Sequence, residues 1–423
     1  MVQRNRKTNY LPLILAAAIA VIAALTVILI LAGKNRNSSL QSDEPATRRH
    51  VTPEEFRGVY VPSVYNLTFP SRADLPEKDL KEEIDGIVSK AKELGLNTVC
   101  LQVRPCCDAL YKSEIFPVSE YLSSSGELTL DCLSYLVEKA HAQEIAVFAW
   151  INPLRISVSN LTADELPDSS PAKSGLRDCV VSYGGKLYFD PARPEVRSLI
   201  CRGVAEIVSS YEVDGVIFDD YFYPYKVWET GDDGVSVAAI FDDGDSYKAY
   251  AAEGESLEDF RRGNINTLVK EVYGTVKKAD PGCLFGVASF GIWQNDDGKN
   301  GGSLTSGLES YDELYCDTLA WCEGGYVDFI APQIYWKTSD LQASFKVLST
   351  WWNEKLKDTG VELLISHAAF RYTDGDFDAG EMTKQIEYAS ALSEYKGSLF
   401  YSYAVFRDDA QDICAEIKGY YTK

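Results

Sequence analysis

The run VDGVIFDDYFYP, Val213 to Pro224, places two adjacent acids, Asp219 and Asp220, at the end of an apolar, β-branched stretch and follows them with aromatic residues. A carboxyl group at a strand end can protonate a leaving oxygen, attack a carbon or activate water. Glycoside hydrolysis normally uses a pair of such groups. Neighbours on a strand point to opposite faces, so Asp219 and Asp220 are not that pair by themselves. One projects into a cleft as the catalytic group, and the other orients loops or a binding arginine. The position four residues after Gly215, at the strand end, makes Asp219 the first choice. For its partner, Asp108 ranks ahead of Glu114, Glu229, Asp296 and Asp297 because it closely follows a strand end and stands near Arg104. An acid so placed also serves as a helix N-cap or a loop ion pair.

Other strand ends carry side chains of matching chemistry. Arg104 ends one apolar run, while Trp150, Asn152 and Arg155 follow another. Tyr221 and Tyr223 follow the acids; Trp293, the trio Gln333, Tyr335 and Trp336, and His367 follow later runs. Amides, arginines and carboxylates bind sugar hydroxyls, and Trp or Tyr rings stack on the apolar face of a pyranose. His367 either binds a hydroxyl or is a satisfied rim residue. Metal hydrolysis lacks ligands, with 3 His in the chain, and no metal or other cofactor is expected. An esterase would need a GxSxG elbow, which does not occur. The net charge of -22 opposes a polyanion, so nucleic acid is excluded as partner.

These residues need a frame that brings strand ends together. Eight apolar runs recur: FRGVYVPS, NTVCLQVR, IAVFAWINP, VDGVIFDD, CLFGVASFG, VDFIAPQIYW, VELLISHAAF and GSLFYSYAVF. Helical spacing separates or follows them, as in Leu80, Ile84, Ile87, Val88, Ala91 and Leu94. Further helices are expected over Tyr311–Cys322, Ser344–Lys357, Met382–Tyr395 and Asp409–Tyr420. Strands each followed by a helix predict an α/β fold, a (β/α)8 TIM-type barrel, with the site at the C-terminal strand ends. An open doubly wound sheet is the alternative, but no Gly-rich phosphate loop follows the first strand.

The N-terminus reads differently. Residues 1–10 hold Arg4, Arg6 and Lys7, and Leu11 to Gly33 is uncharged. Such a run suffices for a membrane-crossing helix, which takes about 20 apolar residues. It predicts one transmembrane signal-anchor, a polar linker over 34–52 and a domain over 53–423 outside the cytoplasm, in a single-pass protein of the cell membrane. Ten cysteines lie scattered through apolar elements, a pattern of buried free thiols more than of a disulfide framework.

Seven segments in order resemble the glycosyl hydrolase-like 10 family across residues 54–406: FRGVYVPSV, LQVRPCCDALYKSEIFPVS, FAWINPLR, YFDPARPEVR, VDGVIFDDYFYP, FGIWQN and DFIAPQIYW. The resemblance implies a (β/α) barrel and a glycosidase similar to those that cut peptidoglycan glycan strands stripped of stem peptides. It also points to Asp219, Asp220, Tyr221, Asp108, Trp150, Asn152, Arg155, Trp293, Gln333 and Tyr335. Three positions depart from the family pattern: Tyr60 and Val118 where Trp is usual, and Ala288-Ser289 where Ser-Pro is common. The function expected is thus a membrane-anchored hydrolase of cell-wall glycan. A non-catalytic glycan-binding barrel and a hydrolase of an amino-sugar exopolysaccharide are the alternatives.

Overall fold

The computed structural model describes residues 48–230 and 234–422. The predicted anchor, Leu11 to Gly33, lies outside them. Among the described residues no helix is long and apolar enough to cross a membrane.

All eight apolar runs form strands: β1 (Phe56–Val61), β2 (Thr98–Arg104), β3 (Ala146–Ile151), β4 (Gly215–Phe218), β5 (Leu284–Val287), β6 (Phe329–Ile330, resuming at Gln333–Ile334), β7 (Glu362–His367) and β8 (Tyr395–Phe400). Each pairs in parallel with its neighbours in the order β6-β5-β4-β3-β2-β1-β8-β7, and β6 pairs with β7 to close the barrel. The strands are short, and β6 breaks near Pro332, which has no N–H to give a ladder. Its carbonyl still accepts from Ser366 N at 3.1 Å, so the break leaves the β6–β7 seam joined.

Alternation along the strands divides two cores. Phe56, Tyr60, Cys100, Phe148, Ile217, Phe329, Leu364 and Leu399 fill the barrel interior. The other parity, such as Val99, Leu101, Val147, Val216, Phe285 and Ile365, packs under the helices. The interior is crowded enough to demand glycine: a Cβ on Gly215 would sit 2.8 Å from the Phe148 ring. The Phe148 and Phe329 ring centroids are 5.4 Å apart.

The outer ring is built by α1 (Glu77–Glu93), α2 (Cys132–His141), α3 (Pro194–Ser210), α4 (Leu257–Ala279), α5 (Thr318–Glu323), α6 (Phe345–Leu356), α7 (Glu381–Ala389) and α8 (Ile413–Tyr421). Helix α1 buries Leu80, Ile84, Ile87, Val88 and Ala91, the stripe its spacing predicts. Asp131 caps α2 through Ser134 N, and Ser256 caps α4 through Asp259 N. The helix expected over Tyr311–Cys322 is split, because Tyr315 takes a φ of 55° and Asp317 starts α5 by capping Ala320 N. The helix expected from Met382 to Tyr395 stops at Ala389, since Tyr395 begins β8.

Two additions rise above the C-terminal strand ends. After β3 the chain forms an antiparallel sheet of Arg155–Ser157, Val180–Tyr183 and Lys186–Phe189. Its tight turn is Gly184-Gly185, both at positive φ, as a two-residue hairpin of matching twist requires. After β4, Trp228–Thr230 pairs with Ser236–Ala238.

At the opposite end, the folded body begins at His50. Val51 N donates to Asp214 Oδ1 at 2.6 Å, and His50 Nε2 lies 3.1 Å from Asp280 Oδ2. The last residues of the expected linker are thus part of the barrel base. All ten cysteines are free, and burial raises the thiols of Cys106 and Cys283 to about 12.

Candidate active site

Asp219 continues the inward parity of Gly215 and Ile217, which carries its carboxylate to the floor of the barrel mouth. Three N–H groups converge on it. Asn152 Nδ2 donates to Oδ2 at 3.1 Å, while Asp220 N at 2.9 Å and Gln333 Nε2 at 3.3 Å donate to Oδ1. Both amides are fixed in turn. Gln102 Nε2 donates to Asn152 Oδ1 at 2.6 Å, and Gln102 Oε1 accepts from Ser63 N and Val64 N. Gln333 Nε2 also donates to Ala288 O at 2.9 Å. The donor direction is consistent from the turn after β1, through Gln102 in β2 and Asn152 just past β3, to Asp219, so each of these amides can satisfy its bonds in only one orientation.

Asp220 has the opposite parity and is buried beside its neighbour. Its Oδ2 accepts from Tyr225 Oη at 2.5 Å. Burial, and then the charge of Asp219, push the Asp220 carboxyl well above the usual carboxylate range, against the pull of the Tyr225 hydroxyl. Asp220 N donates to the Asp219 carboxylate as well, so the Asp220 carboxyl is held against that charge and keeps its proton at pH values where an isolated aspartate is ionised.

Above Asp219 opens a cleft of about 330 Å³, lined by Tyr60, Gln102, Trp150, Arg155, Tyr221, Gln333, Tyr335, Phe370 and Tyr401 among others. Tyr60 and Trp150 meet edge to face at 5.4 Å, and Tyr401 lies 6.3 Å from both Trp150 and Tyr335. Tyr60 Oη is bound to Ser366 Oγ at 2.9 Å. Arg155 donates Nε–H to Pro105 O at 2.8 Å, with its guanidinium 5.3 Å from the Tyr221 ring. A carboxylate ringed by aromatic faces and a few fixed polar groups is the arrangement that a sugar ring requires.

The residues match the glycosyl hydrolase-like 10 family over positions 55–375. The chain belongs to that family. It is on that ground a glycoside hydrolase. It is 36% identical to glycosyl hydrolase YngK of Bacillus subtilis (strain 168) over 82% of this chain and 68% of that protein. It is 34% identical to glycosyl hydrolase DigH of Escherichia coli (strain K12), over 87% of this chain and 86% of that one. Among solved structures, the PgaB (BpsB) glycoside hydrolase domain from Bordetella bronchiseptica superposes with a TM-score of 0.56 at 13% identity, covering 86% of this chain and 98% of that one. At that identity the likeness concerns the fold.

In this glycosyl hydrolase-like 10 member, six of the residues singled out from sequence line one cleft: Trp150, Arg155, Asp219, Tyr221, Gln333 and Tyr335. Asn152 lies directly behind Asp219, and Asp220 beneath it. The others lie elsewhere, for identifiable reasons. A register shift between Gln102 and Arg104 turns Arg104 out of the barrel, where its guanidinium stacks 3.6 Å from the Phe116 ring centroid. Asp108 lines a second cleft of about 340 Å³, with Cys106, Glu120, Ser157 and Glu165, so it does not face Asp219 across the first. Burial raises Asp108 to about 6, while Ser119, Cys106 N and Arg104 act in the opposite direction.

Tyr223 is buried between Phe241 and Tyr315, with ring centroids at 5.1 and 5.2 Å. Trp293 stacks on Trp351 at 6.0 Å, and Trp336 packs edge-on to Phe290 at 6.0 Å; neither lines the cleft. His367 has the parity of Leu363 and Ile365 and faces the helices. It lies between Phe345 and Phe400, with Gln385 Oε1 2.9 Å from Nδ1 and Ser398 Oγ 2.8 Å from Nε2. Burial lowers it to about 4 despite the Gln385 bond, so it is neutral at pH 7.

Sequence reasoning missed Gln102, Tyr225 and Tyr401, and noted Tyr60 only as a departure from the family pattern. The signal for Gln102 was present: a lone amide within the apolar run VCLQV. The departures at Tyr60 and Ala288 both line the cleft, so they alter its walls and leave the acids in place.

Proposed function

We propose that this glycoside hydrolase cuts the glycan strands of peptidoglycan after their stem peptides have been removed, and that it works outside the cell, held to the membrane by the segment Leu11 to Gly33. The observation that carries the reading is Asp219, held by three N–H donors at the floor of an aromatic-walled cleft. Its carboxyl performs the acid–base chemistry, with Tyr221, Trp150 and Tyr335 as walls against the sugar ring. The two relatives named glycosyl hydrolases support cleavage of a glycan, and the resemblance of the seven sequence segments supports a wall polymer as that glycan. The uncharged run and the basic residues before it support the anchor.

The test uses the full chain in detergent, incubated separately with intact peptidoglycan, with amidase-stripped strands and with an amino-sugar exopolysaccharide. Peptide-free oligosaccharides should appear by mass spectrometry from stripped strands. Asp219→Asn should lower the rate by about 10³-fold or more, as loss of a catalytic group does. Products from the exopolysaccharide alone would replace the wall polymer as substrate. Recovery of the full chain in the soluble fraction of its host, without membranes, would refute the anchor.

A further inference from the structure

The classical glycosidase mechanisms need a second carboxyl across the sugar from the first. Among the described residues that line the cleft, Asp219 is the one acid. Its neighbour Asp220 has the opposite parity, does not line the cleft and donates its backbone N–H to the Asp219 carboxylate, and Asp108 lines the second cleft. The wall beyond Asp219 is instead made of rings, with Tyr60, Trp150, Tyr335 and Tyr401 within 5.4–6.3 Å of one another in successive pairs. Within this wall Trp150 Nε1 is buried and has no hydrogen-bond partner among the described residues, as is Arg155 Nη2. A buried donor left unpaired is costly, and a ligand acceptor would recover that cost.

A site with rings, unpaired donors and no opposing acid is complementary to a group that is apolar at one end and a hydrogen-bond acceptor at the other. Resting on the glycosidase reading above, we infer that the sugar whose bond is cut carries a 2-acetamido group, and that its carbonyl oxygen takes the place of a protein nucleophile. The acetamido methyl packs on the rings of Trp150 and Tyr401.

The chemistry balances with the groups present. The acetamido oxygen attacks the anomeric carbon from the face opposite the leaving group. A new C–O bond forms as the glycosidic C–O bond breaks, and the proton held by the Asp219–Asp220 pair passes to the leaving oxygen. The bicyclic oxazolinium ion that results is neutralised by the two carboxylates beneath it. Water then adds to the anomeric carbon, its proton returns to the pair, and the acetamido group is restored. The product keeps the anomeric configuration of the substrate.

The decisive experiment compares three preparations of the same stripped strands: N-acetylated, chemically de-acylated, and re-acylated with trifluoroacetyl, all with the full chain in detergent. Fluorine withdraws electrons from the carbonyl oxygen and weakens it as a nucleophile while keeping its shape. The acetylated strands should be cut with retention, and each of the other two about a hundredfold more slowly or worse, the usual worth of one catalytic group. Cleavage of all three at similar rates, or a covalent glycosyl-aspartate adduct recovered by mass spectrometry, would overturn the inference and leave the glycosidase reading standing. Failure to cut any glycan, by wild type and Asp219→Asn alike, would remove both.

Discussion

Asp219 is held by a chain of amides with a single direction, from Ser63 and Val64 through Gln102 and Asn152. Removing Gln102 unfastens the far end of that chain without touching the carboxylate. Gln102→Ala should lower kcat by about 10–100-fold, since a misplacement of 1 Å is worth up to that much. Stability should fall by about 1–3 kcal/mol for the buried groups left unpaired. Steady-state kinetics and denaturant unfolding would read both. The acid pair gives a second expectation, in pH. The Tyr225 hydroxyl opposes the rise in the Asp220 carboxyl, so Tyr225→Phe should let that carboxyl rise further. The pair then keeps its proton to higher pH, and the alkaline limb of the kcat profile should move upward, not down.

At the scale of elements, two local irregularities decide which side chains reach the substrate. The register shift in β2 sends Arg104 outward after Gln102 has pointed inward, because an extra residue reverses the parity of all that follows. The interruption at Pro332 lets β6 resume with Gln333 facing the acid. Lower in the barrel, glycine makes room for the rings that fill it. Gly215→Ala would bring a methyl 2.8 Å from Phe148, a ring with little room to yield. Overpacking of this kind should cost about 1–3 kcal/mol, seen as a lower unfolding midpoint with an unchanged denaturant slope.

For the whole molecule, closure of the ring is what brings distant segments into one cleft. Tyr60 from β1 and Tyr401 after β8 lie at 6.1 Å, although almost the whole domain separates them in sequence. The same closure buries Cys100 in the barrel interior and most of the other cysteines between strands and helices, with Cys201 half-buried. Burial keeps these groups as thiols, so a disulfide-exchange reagent should label few or none of the ten in the native protein and all of them once it unfolds. Rapid labelling of most of them in the folded state would contradict this packing.

The eight strands, most of the helices and Asp219 at its strand end were legible in the sequence, because each depends on local spacing: alternation over a few residues, a helical stripe, an acid directly after an apolar run. Family membership was legible for the same reason, in short motifs at strand ends. The tertiary structure decided how those ends are used. Proximity to a strand end did not distinguish Trp150, which faces the mouth, from His367, which faces the helices, since inward and outward differ by a single residue of register. Nor did it show that Asp108 and Asp219 open into different clefts, because the sheet of Arg155–Ser157 that contributes to both is assembled from residues distant in sequence. Local periodicity specifies an element and its two faces; pairing and closure determine which face meets the substrate.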